Sequence, residues 1–112
     1  MHVEVDRIGT WKIVRPQTKR LDALVEVAFR EMLEELLSPG ESASVVIDLS
    51  HVDFVDSSGL GALVYARRLV GDDGRVAIAS ARAGVAATLR LTHLDQVMPL
   101  VHSPQAVLEL AF

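Results

Sequence analysis

The sequence has 112 residues and no cysteine, a length typical of one folded domain. Half of the residues are hydrophobic and 23% are charged, which predicts a globular core rather than disorder. The net charge of −4 argues against direct nucleic-acid binding, because neutralising phosphates requires a basic face. The lack of cysteine excludes disulfides, thiol catalysis and Cys-based zinc sites. We expect residues 1–112 to form one domain.

No stretch of the sequence predicts a membrane-spanning or secretory segment. Apolar runs fall short of the ~20 residues that cross a bilayer. Residues 1–6 alternate polar and apolar side chains and lack the basic start and apolar block of a signal peptide. We therefore expect a soluble cytoplasmic protein without membrane insertion, while a peripheral role at a membrane stays open.

The chain begins with a predicted β-hairpin. Val3 and Val5 alternate with polar residues, which is strand periodicity. Residues 8–10 form a turn, and residues 11–14 form a second strand that ends near Pro16, because proline lacks a backbone donor.

A long amphipathic helix is predicted over residues 21–37, with Asp22 as its N-cap. Its apolar residues recur at three- and four-residue steps and would form one buried stripe. The stripe consists of Leu21, Leu24, Val25, Ala28, Phe29, Met32, Leu33 and Leu36. The sequence Ser38-Pro39-Gly40 is expected to end the helix.

From residue 45 onwards, predicted strands and helices alternate. The strands lie at residues 45–49, 75–79 and 96–101, and the helices begin near residues 57, 83 and 104. Pro99 suggests that the last strand lies at a sheet edge. Alternation of this kind predicts an α/β fold with a largely parallel sheet and right-handed crossovers.

The most informative stretch is Asp56-Ser57-Ser58-Gly59, between a buried strand and a helix. Aspartate and serine at a helix start accept hydrogen bonds from free backbone N–H groups. The same end of a helix favours bound anions. From spacing alone, Ser57 is either a helix cap or a phosphate carrier.

This stretch resembles the signature of the STAS domain family, in particular its anti-sigma factor antagonists. The residues that carry the resemblance are Asp48-Leu49-Ser50, Val52, Phe54 to Gly61, and Leu63. The resemblance covers nearly the whole chain. It implies a single STAS-like domain with a mostly parallel sheet of four to five strands, an antiparallel N-terminal strand and about four helices. Lys19-Arg20 stand where the family often has a small residue.

The resemblance also implies a site. In the family, the serine directly after the aspartate is phosphorylated, and here that residue is Ser57. The surrounding residues are expected to bind the partner: Asp56, Ser57, Ser58, Gly59, Leu60 and Gly61.

Several of these residues keep a second interpretation. Asp56 either orients the Ser57 hydroxyl or contacts the partner, unless it forms only a turn; Ser58 is expected to cap the helix. Gly59 and Gly61 suggest close approach of another backbone, or tight packing on the neighbouring strand. Phe54 and Val55 belong either to a docking patch or to the core.

The implied function is that of an anti-sigma factor antagonist in a bacterial partner-switching system. The unphosphorylated protein would bind an anti-sigma factor that is also a serine kinase of the GHKL type. Phosphorylation of Ser57 would release it, and a PP2C-type phosphatase would restore it. The protein is then a substrate and a binding module rather than an enzyme, with no cofactor and no metal.

Other functional classes fit the sequence less well. A two-component receiver domain needs an acidic pair after its first strand and a late lysine, whereas both lysines, Lys12 and Lys19, come early. A serine hydrolase needs Gly-x-Ser-x-Gly, and Val55 stands two residues before Ser57. The four histidines show no metal-binding spacing, and there is no phosphate-binding Gly-x-x-x-x-Gly-Lys sequence. Arg67 and Arg68 are explained by placement at a helix C-terminus.

One alternative keeps the fold and changes the role. STAS domains also serve as non-switching scaffold subunits of lipid-transport or signalling complexes. The intact Asp56-Ser57 pair favours the switch.

Overall fold

The computed structural model describes residues 1–37 and 44–110. The strands are β1 Val3–Ile8, β2 Trp11–Pro16, β3 Arg20–Leu21, β4 Ser44–Asp48, β5 Phe54–Val55, β6 Arg75–Ala79 and β7 Leu100–Val101. The α-helices are α1 Glu26–Leu36, α2 Ser57–Leu69 and α3 Ala83–Leu91. Two 3-10 segments follow α3, at Leu94–Gln96 and Pro104–Glu109. In these two described ranges no helix is long and apolar enough to cross a membrane.

Five strands form one sheet in the order β1-β2-β4-β6-β7. β1 is antiparallel to β2, and every other neighbouring pair in this sheet is parallel. This arrangement confirms the predicted fold class, including the antiparallel N-terminal strand. The predicted last helix is a 3-10 segment, and its first residue is Pro104.

A second, two-stranded sheet was not predicted. β3 and β5 pair in parallel, with Arg20 opposite Phe54 and Leu21 opposite Val55. Strands of two residues are too short to show any periodicity in the sequence. Their pairing brings the segment before α1 against the segment before α2.

Each face of the large sheet has its own apolar cluster. The three α-helices cover one face, where Phe29, Leu63 and Leu89 are fully buried. On the other face, Trp11 and Ile13 pack with Val107 of the last 3-10 segment. The large sheet is therefore buried on both faces at its centre, as the continuous apolar run of β4 predicts.

The start of the first helix differs from the prediction. α1 begins at Glu26 rather than near Leu21, and Asp22 does not cap it. Asp22 instead forms a turn, in which its carboxylate accepts from the Leu24 N–H and its carbonyl from the Val25 N–H. This local turn competes successfully with helix formation. Leu24, predicted to be buried, is 93% exposed.

The end of the same helix agrees only in part. α1 ends at Leu36, and Leu37 is its C-cap. The predicted stop at Ser38-Pro39-Gly40 lies outside the described residues.

The last predicted strand is also shorter than expected. Only Leu100–Val101 pairs with β6, and the predicted strand residue Gln96 belongs to a 3-10 turn. β7 does lie at the sheet edge, as Pro99 suggested.

A buried ion pair fixes the end of β4. The Asp48 carboxylate, 3% exposed, accepts from Arg15 Nε at 2.8 Å and from the Ser50 N–H at 2.9 Å. The hydrogen bond to Asp48 raises the pKa of Arg15 above its usual value. Asp48 thereby connects β2 to the loop after β4, and its carboxylate is occupied by this structural role.

We expect Asp48→Ala to lower the free energy of unfolding by about 2–3 kcal/mol, because it removes the acceptor for a partly buried guanidinium and a backbone amide. Glu4, whose exposed carboxylate lies 3.1 Å from the same Arg15, is the control. Glu4→Ala should cost no more than ~0.5 kcal/mol. Urea unfolding of both variants measures the difference, and equal losses would contradict a structural role for Asp48.

Candidate functional site at the start of the second helix

Asp56 is the N-cap of α2. One carboxylate oxygen accepts from the Gly59 N–H at 3.0 Å, and the main-chain carbonyl accepts from Leu60 at 2.9 Å. The other carboxylate oxygen accepts from the Ala23 N–H at 3.3 Å. Asp56 therefore holds both the helix start and the turn that precedes α1.

The predicted capping role of Ser58 is wrong. Because Asp56 is the cap, Ser57 and Ser58 occupy the first two helical positions. Asp56 uses its carboxylate on backbone amides, and it makes no hydrogen bond to the Ser57 hydroxyl.

Ser57 is exposed at the first position of the helix. Within residues 1–37 and 44–110, its hydroxyl has no hydrogen-bond partner. A hydroxyl at this position is accessible to another protein, and the nearby free N–H groups favour negative charge.

Gly59 packs directly on the β3 backbone. A Cβ added to Gly59 would overlap the main-chain carbonyl of Leu21, which also accepts a hydrogen bond from the Asp56 N–H at 3.2 Å. Of the two interpretations of this glycine, tight packing on a neighbouring strand is the one that the structure shows at Gly59. Gly59 itself is buried, so a partner would meet its neighbours Leu60 and Gly61, which are half-buried.

Gly61 has a different neighbour. The position of its missing Cβ lies 3.3 Å from a guanidinium nitrogen of Arg30, a side chain of α1 rather than a backbone. The space beside Gly61 is therefore occupied by a flexible cation.

Two large apolar side chains lie exposed near Ser57. Leu24 follows Ala23, whose N–H binds Asp56, and Phe54 lies two residues before Asp56 and is 41% exposed. We call Leu24, Phe54 and Ser57 together the serine-side surface. Of the two candidates for an apolar patch, Phe54 belongs to this surface, whereas Val55 is buried. Leu24 was missed because its spacing fits the helical stripe, and only the turn at Asp22 places it outside.

The atypical Lys19-Arg20 pair lies beside this surface. The Arg20 guanidinium lies 4.2 Å from the centre of the Phe54 ring, and its Nε is 3.0 Å from the Asp22 carboxylate. Lys19 lines a cleft of about 300 Å³ together with His51 and Arg82. The hydrogen bond from Arg20, supported by the Leu24 N–H, holds the pKa of Asp22 below its usual value.

Arg67 lies in the last turn of α2, as predicted, and donates to the Gly71 carbonyl at 2.9 Å. It serves the helix C-terminus. Among the described residues, no three His, Asp or Glu side chains are grouped to hold a metal ion.

The chain matches the family model of the STAS domain over residues 2–106. A solved anti-sigma-factor antagonist (STAS) domain protein from Planctomyces limnophilus has a TM-score of 0.84 and 23% identity, with 96% of this chain and 94% of that chain covered. The phosphorylated form of SpoIIAA from Bacillus has a TM-score of 0.68 and 15% identity, over 96% and 98% of the two chains.

A transporter also contains a similar fold. The murine anion transporter Slc26a9 matches with a TM-score of 0.76 and 22% identity, over 93% of this chain and 18% of that chain. The fold thus occurs both in small antagonists and within a much longer protein.

We expect Gly59→Ala to lower the free energy of unfolding by about 3 kcal/mol, because the added methyl group overlaps a backbone carbonyl that cannot easily move. Gly61→Ala is the matched control. Its methyl group meets only the flexible end of Arg30, and alanine favours the helix by about 1 kcal/mol over glycine, so its stability should be unchanged or higher. Urea unfolding compares the two, and a Gly59→Ala protein as stable as the parent would contradict the close contact.

We expect Asp22→Asn to lower the melting temperature at pH 7. Because the folded-state pKa of Asp22 is lowered, its contribution is fully present above the unfolded value of about 4 and is lost as the pH falls through the folded value. The difference in melting temperature between parent and variant should therefore begin to shrink below about pH 4 and vanish below the folded-state value.

Asp72→Asn is the control, since it removes the same charge from an exposed turn residue that makes no ion pair within the described ranges. It should melt like the parent throughout. A gap between parent and Asp22→Asn that stays constant from pH 7 to pH 3 would contradict the role of the ion pair.

Proposed function

Because the chain belongs to the STAS domain family, we propose that it is an anti-sigma factor antagonist of a bacterial partner-switching system. In its unphosphorylated form it binds an anti-sigma factor, so that the sigma factor is released. When Ser57 is phosphorylated the complex separates. The output is control of transcription in the cytoplasm.

The observation that carries this proposal is the position of Ser57. Its hydroxyl is exposed at the first position of α2, and exposed apolar side chains, Leu24 and Phe54, are carried by the segments that meet at this helix start. A partner that covers the exposed leucine and phenylalanine removes apolar surface from water, which stabilises the complex by on the order of 25 cal/mol per Å² of apolar area. A partner that covers them also covers Ser57.

Phosphorylation would act on binding rather than on folding. It adds a charge of about −1.5 to −2 and three acceptor oxygens. The N-terminus of α2 tolerates this charge, because free N–H groups and the helix dipole favour an anion there. Burying the same charge under an apolar or acidic partner surface is costly. The modification therefore prevents docking while the domain stays folded.

The proposed partners follow from the same step. The anti-sigma factor is also the serine kinase, of the GHKL type, and transfers the phosphate from ATP to Ser57. A PP2C-type phosphatase removes it. Asp56 and Gly59 fix the position of the helix start that carries Ser57. Ser58, Leu60 and Gly61 lie beside Ser57 on the first turns of the helix. The protein acts as a binding module and a substrate, not as a catalyst.

A second candidate is a non-switching scaffold in a transport or signalling complex. The similarity to a domain within an anion transporter supports it. The accessible Ser57 hydroxyl, which has no role in holding the fold, favours the switch.

We expect protein isolated from its own cells to carry one phosphate on Ser57, and Ser57→Ala to carry none. Intact-mass and peptide mass spectrometry measure this. Ser58→Ala is the matched control, because Ser58 is the next residue of the same helical turn, and it should still be phosphorylated. Phosphate on Ser58 in the parent would move the site by one residue. No phosphate under any growth condition would favour the scaffold.

The serine-side surface is tested in the same system by co-purification of the kinase. Leu24→Ser should reduce its capture at least tenfold, about 1.4 kcal/mol, without a change in melting temperature, because Leu24 is almost fully exposed. Leu91→Ser, at another highly exposed leucine, in α3, should capture as much kinase as the parent. Equal capture by all three proteins would place the docking surface elsewhere.

A further inference from the structure

Arg30 lies on α1 with its guanidinium directed towards α2. It lies 3.1 Å from the carboxylate of Glu26, one turn earlier on α1, and 5.0 Å from the ring centre of Tyr65 on α2. The Tyr65 hydroxyl donates to Glu34 at 2.8 Å. The Arg30 side chain is 34% exposed, so it can move without unpacking the core.

Arg30 contacts the side of α2 on which Ser57 lies. An Arg30 nitrogen lies 3.3 Å from the position that a Gly61 Cβ would occupy. Ser57 is four residues before Gly61, so the two positions share one side of α2 at a separation of about 5–6 Å. Cα–Cβ bonds in a helix tilt towards its N-terminus, which directs the space beside Gly61 towards Ser57.

We infer that Arg30 is an internal receptor for phosphate on Ser57. When Ser57 is phosphorylated, the guanidinium exchanges the Glu26 carboxylate for the phosphate. This inference rests on the proposed phosphorylation of Ser57.

Charge and shape favour the exchange. Glu26 offers one negative charge, whereas a phosphate offers about −1.5 to −2 and three oxygens that match the guanidinium donors. A Glu–Arg pair on a partly exposed helix surface contributes only about 0.3–0.5 kcal/mol. The absence of a side chain at Gly61 leaves the path between Arg30 and Ser57 open.

Acidic side chains near the start of α2 add a repulsion that a nearby cation would offset. Asp56 directly precedes Ser57, and Glu26, the present partner of Arg30, lies on the neighbouring helix α1. Arg20 is the rival cation, but it is held against Phe54 and Asp22 on the β3 side. Arg30 is thus placed to offset this repulsion and to hold the phosphoserine side chain against α1.

The test uses protein in which phosphoserine is inserted at position 57 during translation, so that no kinase is required. Phosphorus NMR follows the second ionisation of the phosphate. A neighbouring guanidinium favours the dianion, so its midpoint should lie about half a pH unit higher in Arg30→Gln than in the parent. Arg30→Lys should lie between them, because it keeps the charge and loses the planar fork.

Two controls carry the same loss of charge. Arg68→Gln lies eleven residues further along α2, about 16 Å from Ser57, and should leave the midpoint unchanged. Arg20→Gln tests the rival cation and should also have little effect. A second measurement needs no substitution: the Nε–H signal of Arg30 should shift between the serine and phosphoserine proteins.

The inference is overturned if Arg30→Gln moves the midpoint no more than Arg68→Gln, or if Arg20→Gln alone moves it. It is also overturned if the Arg30 Nε–H signal stays in place. None of these results bears on whether a kinase modifies Ser57, which the mass-spectrometry experiment decides separately.

Discussion

The architecture of the site depends on how the start of α2 packs against β3. Gly59 brings the helix backbone into contact with the Leu21 carbonyl, and Asp56 binds amides on both sides of the contact. The two short strands β3 and β5 hold the same junction from below. Because these contacts involve backbone groups and one carboxylate, the Ser57 hydroxyl is left outside them. The Ser57 side chain is therefore exposed on a helix start that is held by other residues.

Much of this arrangement could be predicted from the sequence. The strand periodicity of residues 3–5, the buried run of β4 and the alternation after it lead to the observed sheet. The helix start at Ser57 follows from the Asp-Ser-Ser-Gly sequence, and the two glycines after it correctly indicated close packing at Gly59. The match of the family model over residues 2–106 agrees with the resemblance read from the same motif.

What the sequence could not predict are contacts between segments far apart in the chain. The spacing of Leu24 fits the apolar stripe of α1, yet the turn at Asp22 delays the helix and exposes this leucine. The second bond of the capping residue Asp56, from the Ala23 amide 33 residues earlier, has no local pattern either. Arg30 beside Gly61 likewise joins two helices, and no local pattern indicates it.

The separation between the serine and the groups that hold it has an evolutionary consequence. A change at position 57 alters neither the cap nor the contact with Leu21, so it is nearly free of structural cost. Under the proposed switch, one nucleotide substitution in the serine codon would remove regulation and leave a constitutive binder. Regulation and foldability could then be selected independently, and gene duplicates of this domain could diverge from regulated to unregulated without passing through an unfolded intermediate.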